Sequence, residues 1–352
     1  MEISKLFDFA IERNASDLHL VPGYLPSIRV NNDLYQINST ETLTGENIKT
    51  LIFSIISDEQ KDNILANKEM DFGYEYKTVR FRCNVYFARE NLSASFRLIP
   101  SKIKSIEELN LPAQLHQFAK WNQGLILITG PTGEGKSTTL AAIIDEINHQ
   151  ASKHIITIED PIEYIYQPAR SIVSQRELHQ DTHSWTVALR SVLREDPDIV
   201  LVGEMRDYET IQAVLTIAET GHLVFSTLHT PSSSETINRI IDVFPAHQQN
   251  QVRAQLASVL KAVIAERLIP SLDQTKRIPA VETLLNIASV SSLVREGKVH
   301  LIDNVIETEE AQGLMLFEKY LIGLYKKGLI SQETALTYAI RPSEIKKLLT
   351  DI

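Results

Sequence analysis

The sequence predicts an α/β fold: a parallel sheet carrying a glycine-rich loop, with a small α+β domain before it and a helical segment after it. Three observations predict this. Gly130-Pro131-Thr132-Gly133-Glu134-Gly135-Lys136-Ser137 matches G-x-x-x-x-G-K-[ST] without a gap. Near-continuous apolar runs recur through the middle of the chain at 125–129, 154–158, 199–202 and 223–227, separated by helix-forming stretches, the pattern of parallel strands covered on both faces. The first hundred residues alternate apolar and polar instead, the pattern of half-buried antiparallel strands.

In chain order, Ile3 to Ile11 reads as an amphipathic helix, and Asp17-Leu18-His19-Leu20 and Ser27-Ile28-Arg29-Val30 as short strands. Val79 to Phe87 alternates through Arg80, Arg82 and Asn84, with Ala94 to Ile99 as its hairpin partner. Pro100 closes that unit, and Ser101, Lys102 and Lys104 lead through Leu111-Pro112 into the second rhythm. There Leu125 to Thr129 forms a strand, the glycine loop follows, and Thr138 to Asn148 forms a helix. After about residue 285 the chain is helical, with apolar spacing through Leu314, Phe317, Leu321 and Leu324 and a last helix from Ser343. The expected organisation is 1–100, a linker at 101–115, a core at 116–285 and a C-terminal helical region at 286–352.

Composition bounds the function. The 352 residues suffice for two or three domains, with 43 % hydrophobic and 23 % charged residues as in ordinary globular proteins. A net charge of -10 and a pI near 5.5 argue against a surface built for phosphate backbones, so no nucleic-acid partner is expected. Cys83 is the only cysteine, which rules out an intrachain disulfide framework and fits a reducing cytosol. No secretory signal pattern opens the chain and no run nears the ~20 apolar residues needed to span a bilayer. Membrane contact is therefore expected only through a partner.

Strand, glycine loop and helix in succession point to a nucleoside triphosphate. Glycines let successive N–H groups and the helix N-terminus converge on phosphates, Lys136 adds a point charge, and the Ser137 hydroxyl is placed to ligate Mg²⁺. A nucleoside triphosphate with Mg²⁺ is therefore expected, held by Gly130 to Ser137 with Thr138. A phosphate loop also needs a carboxylate at the end of a neighbouring strand, and Glu204, after Ile199 to Val202, is at that edge. Glu159-Asp160-Pro161-Ile162-Glu163 follows another strand, with Pro161 imposing a non-helical turn, and makes Glu163 a candidate to orient or deprotonate water. His222 and His229 bracket the strand 223–227, one at each end; His229 at the carboxyl end is placed to sense a γ-phosphate oxygen. Within one chain, no arginine is expected to adjoin the loop as a charge neutraliser.

Several segments together resemble the type IV pilus and type II secretion ATPases, and within them the PilT-type retraction motors: Ala15-Ser16-Asp17-Leu18-His19-Leu20, the phosphate loop, Ile158 to Glu163, Arg194-Glu195-Asp196-Pro197-Asp198 running to Gly203-Glu204-Met205-Arg206-Asp207, and Thr220-Gly221-His222-Leu223-Val224-Phe225 with Thr227-Leu228-His229-Thr230. The resemblance implies a PAS-like N-terminal domain joined flexibly to a RecA-like ATPase domain, a homohexameric ring with ATP as the triphosphate held between subunits, and torque passed to an inner-membrane pilus platform protein (PilC-like) from the cytoplasmic face of that membrane. It implies Glu163 as general base, Glu204 as the Walker B group, and Arg80, Arg82 and Arg97 as arginines reaching the nucleotide. The absence of a long N-terminal extension and of a four-cysteine zinc insert predicts retraction, against pilus extension or type II secretion; a RecA-like nucleic-acid motor or a regulatory subunit that barely turns ATP over are further alternatives. Leu293-Val294-Arg295-Glu296-Gly297-Lys298 is similar to the family's C-terminal box. Three departures stand out: Ser291 and Ser292 replace arginine and asparagine in that box, Ser226 replaces a glycine, and Glu134 replaces the loop serine. A carboxylate facing phosphates weakens anion binding unless it points away.

Overall fold

The computed structural model describes residues 2–30, 33–38, 41–77, 79–99 and 102–350. The expected break at Pro100 and linker residue Ser101 lie outside the described residues. The chain forms two compact units, residues 1–102 with 160–165, and residues 103–159 with 166–352.

The first unit is α+β. Helix α1 (Ile3–Glu12) precedes strands β1 (Asp17–Leu20), β2 (Ser27–Val30) and β3 (Asp33–Gln36), then α2 (Gly45–Phe53), α3 (Asp58–Asn67), β4 (Glu69–Tyr76), β5 (Val79–Ala88) and β6 (Asn91–Ile99). The sheet runs β3-β2-β1-β6-β5-β4, antiparallel throughout. Alternation did its work: Phe81, Cys83 and Val85 of β5 are buried with Leu92, Ala94 and Phe96 of β6. On α1, Ile3, Leu6, Phe7 and Ala10 form a buried i, i+3, i+4, i+7 stripe, and the Phe7 ring meets those of Phe81 and Phe96 at 4.5 and 5.1 Å. The β5–β6 turn is two residues long, with Arg89 and Glu90 at φ 49° and 64°, the double positive φ that suits the right-handed twist of a hairpin. Helices α2 and α3, which the sequence pattern did not place, each open with a capping box, Thr44 with Asn47 and Ser57 with Gln60.

The second unit is an α/β domain built on a mostly parallel sheet that carries the phosphate loop. Its first half contains β7 (Gly124–Thr129), α4 (Lys136–Gln150), β8 (His154–Glu159), β9 (Ile172–Glu177), α5 (Trp185–Val192), β10 (Ile199–Val202), α6 (Tyr208–Glu219) and β11 (Leu223–Leu228). Next come α7 (Ser233–Asp242), α8 (Ala246–Val259), β12 (Leu260–Pro270), β13 (Arg277–Leu285), α9 (Ala288–Glu296), α10 (Ile302–Thr308), α11 (Phe317–Lys326), α12 (Gln332–Tyr338) and α13 (Pro342–Thr350). The sheet order is β13-β12-β7-β11-β10-β8-β9, parallel except for the edge strand β13. The apolar runs divide residue by residue between its faces. Leu125, Leu127, Ile156, Ile158, Val200, Val202 and Val224 join the core under α5 to α9, whereas Ile126, Ile128, Ile155, Ile199, Leu201, Leu223 and Phe225 join the core under α4. Continuous hydrophobicity is thus two interleaved period-two patterns, each filling one face.

Sequence periodicity did not reveal β9, β12 and β13. β9 reads Ile-Val-Ser-Gln-Arg-Glu, a polar edge strand, and β12 begins at the residue after α8 ends, with no glycine or proline at the switch. Beyond the sheet, Phe317, Leu321, Leu324, Ile330 and Ile345 build a small core against Ile269, Ile278 and Ala280 of the β12–β13 hairpin. Arg341 lies beside this core. Its guanidinium contacts Glu282 at 2.8 Å, Asp303 at 2.8 Å and Glu318 at 3.0 Å, and the Glu282 and Glu318 side chains have no solvent exposure. Glu282 also accepts the Ser233 N–H at the start of α7, and Glu318 accepts the N–H groups of Ile340 and Arg341.

Candidate nucleotide site

β7 ends at Thr129 and the chain turns away at Gly130, whose φ is 142°. A Cβ at Gly130 would sit 2.2 Å from the Glu266 carbonyl oxygen, so only glycine passes so close to β12. Gly135, at φ 100°, is the residue from which α4 departs, and a Cβ there would meet the Glu266 carboxyl at 2.7 Å. No side chain caps α4. The glycine loop thus leads straight into the N-terminus of α4, the arrangement in which backbone N–H groups and the helix dipole favour an anion. The Lys136 ammonium donates to the carbonyls of Gly130 (2.7 Å) and Pro131 (2.8 Å), folded back over the loop. Ser137 and Thr138 occupy the next two positions of the helix, half-buried.

Two parallel strands bring the second half of the site. β10 and β11 lie between β7 and β8, so the segments after Val202 and after Leu228 emerge at the same sheet edge as the loop. Glu204, with a side chain 14 % exposed, is fixed between Arg206 Nη2 at 2.5 Å and His229 Nε2 at 3.2 Å. The other ring nitrogen of His229 lies 3.3 Å from Thr132 Oγ1. A carboxylate only accepts, so Nε2–H donates to Glu204; in the neutral ring Nδ1 then accepts from the threonine. His229 therefore joins the phosphate loop to Glu204. The strand ends are held in place by Thr227, which donates to Gly203 O at 2.6 Å, and by Ser226, which donates to Val202 O at 2.8 Å. Ser226 thus replaces the family's glycine without leaving its buried hydroxyl unpaired.

His222 lies at the other end of β11, paired with Thr220 Oγ1 and Ile217 O, six residues or about 20 Å of strand from Leu228. Within the chain it is not brought to the loop. Glu163 and the three arginines belong to the first unit. There Arg82 sits between Asp71 (3.3 Å) and Glu163 (3.8 Å), Arg80 donates to Ile162 O at 3.3 Å, and Arg97, 69 % exposed, pairs with Asp17 at 3.0 Å. Among the described residues no three His, Cys, Asp or Glu gather as a metal cage. Ser137 and Glu204 are hard oxygen donors from two elements at one edge, a set that fits Mg²⁺ held mostly by phosphates and water.

Four residues of the site had escaped the sequence reading. Arg206 sits within the segment that contained Glu204, but nothing local showed the pairing. Arg277 corrects the expectation that no arginine adjoins the loop: its Nη1 lies 3.4 Å from Gly133 O, across 144 positions. Thr139 donates at 2.7 Å to Glu266, which is 2 % exposed. Burial pushes the Glu266 carboxyl up to about 7, opposed by the Thr139 hydrogen bond and the Lys136 charge and reinforced by the Glu134 charge. Folding thus favours protonated Glu266, so its contribution to stability is fully present below the unfolded value near 4.5 and is lost as pH rises to about 7. The loss is on the order of 3 kcal/mol. Glu266→Gln, isosteric with the neutral acid, is expected to melt above wild type at pH 8 and to converge with it below pH 5; parallel melting curves at all pH values would refute this.

The family described as type II/IV secretion system protein matches residues 2–333. The Type IV pilus retractation ATPase PilT of Pseudomonas aeruginosa is 45 % identical over 336 residues, 95 % of this chain and 97 % of that protein. A twitching motility protein of Neisseria gonorrhoeae is 45 % identical over 311 residues, 88 % of this chain and 83 % of its own length. A crystal structure of the pilus retraction motor PilT with bound ADP superposes with a TM-score of 0.92 at 41 % identity, covering 99 % of both chains.

Proposed function

The chain belongs to the type II/IV secretion system protein family, and from that premise we propose that it is a motor ATPase that hydrolyses ATP to retract type IV pili. The observation that carries the chemistry is the His229 bridge from Thr132 of the loop to Glu204. That bridge supports reading the strand-end carboxylate and the imidazole as the groups that meet a third phosphate. Loop N–H groups and Lys136 bind the phosphates, Lys136 exchanging its two carbonyl partners for phosphate oxygens. Ser137 and Glu204 would hold Mg²⁺, which would supply charge neutralisation to the bound phosphates. Glu163 takes the proton of the attacking water, and His229 reports loss of the γ-phosphate along β11 and into α7.

The working form is a homohexamer acting at the cytoplasmic face of the inner membrane through a platform protein. No helix among the described residues is long and apolar enough to cross a membrane, which is why the reading needs that partner. Within a ring, Arg80, Arg82 and Arg97 serve the nucleotide of a neighbour, a role worth ~10³-fold or more in rate. Specific activity is expected to rise with protein concentration until rings form, and Arg82→Ala or Arg97→Ala to lower turnover with the ring intact. Constant specific activity down to concentrations where light scattering sees only monomers would sink the shared-site reading. For function, a deletion strain with excess surface pili and no twitching supports retraction; absent pili would mean extension, and ATPase stimulation by single-stranded DNA would mean a nucleic-acid motor.

A further inference from the structure

Glu134 is the one loop residue whose charge opposes the loop's task, and the structure places that charge on a backbone donor. Its Oε2 accepts the Leu268 N–H of β12 at 2.5 Å, across 134 positions. The donor exists because of the sheet. β12 pairs with β7 only as far as Ala265 opposite Thr129, where β7 turns into the loop, while β12 continues to Pro270 against β13. The edge of β12 that faced β7 is therefore open beyond residue 265, and a half-buried N–H there needs an acceptor. Serine at position 134 could not span the gap, because its oxygen stands two bonds nearer the backbone.

We propose that Glu134 is a positioning residue of the phosphate loop: by taking the Leu268 N–H it docks the loop's tip onto the β12–β13 hairpin and holds it in the shape that receives phosphates. Neighbouring contacts support the same dock. Arg277, at the start of β13, reaches Gly133 O next to Glu134, and Thr139, one turn into α4, donates to Glu266 two residues before Leu268. The loop is thus held at its tip by the Leu268 N–H and Arg277, and at its helix by Glu266, all on one hairpin. A charge-assisted hydrogen bond of this length is among the stronger ones a neutral donor makes, and it directs the carboxylate at the strand.

The inference rests on the reading of the loop as an ATP site and reverses the sign that a carboxylate brake would give. Binding of a non-hydrolysable ATP analogue, adenylyl imidodiphosphate with Mg²⁺, is measured by calorimetry at low salt, where any repulsion is least screened. Glu134→Ser is expected to weaken binding by about tenfold, the worth of one hydrogen bond to a charged group, with KM for ATP rising more than kcat falls. Glu134→Gln keeps an oxygen acceptor without the charge and is expected to bind more weakly than wild type but more tightly than Glu134→Ser. Wild type that fails to bind the analogue overturns the ATP reading itself. Where wild type binds and Lys136→Ala does not, that reading stands, and the Glu134 variants decide the dock alone: Glu134→Ser binding as tightly as wild type or tighter overturns it, as does Glu134→Gln binding as weakly as Glu134→Ser.

Discussion

Glu163→Gln is expected to bind a non-hydrolysable ATP analogue as wild type does and to hydrolyse ATP about 10²- to 10⁴-fold more slowly, the range a general base contributes. Glutamine keeps the side chain's length and planarity and removes its capacity to take a proton. The substitution also ends the ion pair with Arg82, but that pair is 3.8 Å long with both side chains more than a third exposed. Such pairs are worth at most about 1 kcal/mol, too little to unfold the first unit, so lost turnover would report chemistry. Two companion variants separate binding from catalysis. Lys136→Ala is expected to lose both, and Glu204→Ala to bind nucleotide while turning over at least ~10²-fold more slowly, since it removes a preorganised electrostatic group. Phosphate release by Glu163→Gln at the wild-type rate would place the base elsewhere.

Arg341→Met is expected to destabilise the second unit by roughly 3–5 kcal/mol, the cost of breaking a buried ion pair by deleting one partner. Glu282 and Glu318 have no solvent exposure, and Arg341 is their shared counter-charge, with Asp303 as a third, partly exposed partner. Burial holds the Glu282 carboxyl above the usual range even with Arg341 beside it. Without the guanidinium, Glu282 is expected to protonate more readily, so the deficit should shrink as pH falls. Urea unfolding at pH 8 and pH 5 measures both parts. A variant as stable as wild type at pH 8 would show that the cluster is solvated in solution. Nucleotide binding adds a second readout, because Glu282 also accepts the N–H of Ser233, three residues after Thr230 of the histidine segment.

Much of the site was legible because its parts are local. The phosphate loop works through consecutive backbone N–H groups, so the residues that shape it are neighbours in sequence, and Glu204 and His229 follow apolar runs whose ends a parallel sheet must align. The same holds for β7, β8, β10 and β11, where burial on both faces demands unbroken hydrophobicity. β9 lacks that signal because it is a polar edge, and β12, although it contains the buried apolar run Ala262 to Ala265, begins without punctuation at the end of α8. The grouping of residues 160–165 with the first unit also had no local mark, since it depends on backbone and side-chain contacts to β5.

The sequence by itself determined that the chain has a P-loop sheet with a strand-end carboxylate and a histidine at its carboxyl edge, because periodicity and loop chemistry are properties of a dozen adjacent residues. Tertiary structure alone decided where charged side chains spend their charge. Glu134 faces Leu268, Arg277 faces Gly133, Arg206 faces Glu204, and Arg341 collects three carboxylates. The physical reason is that a hydrogen bond or ion pair requires atoms within about 3 Å, and apart from the near pair of Arg206 and Glu204, those partners lie tens to more than a hundred positions apart. Only the packed sheet and its hairpin bring them together, and that is how a glutamate in a phosphate loop becomes a support for it.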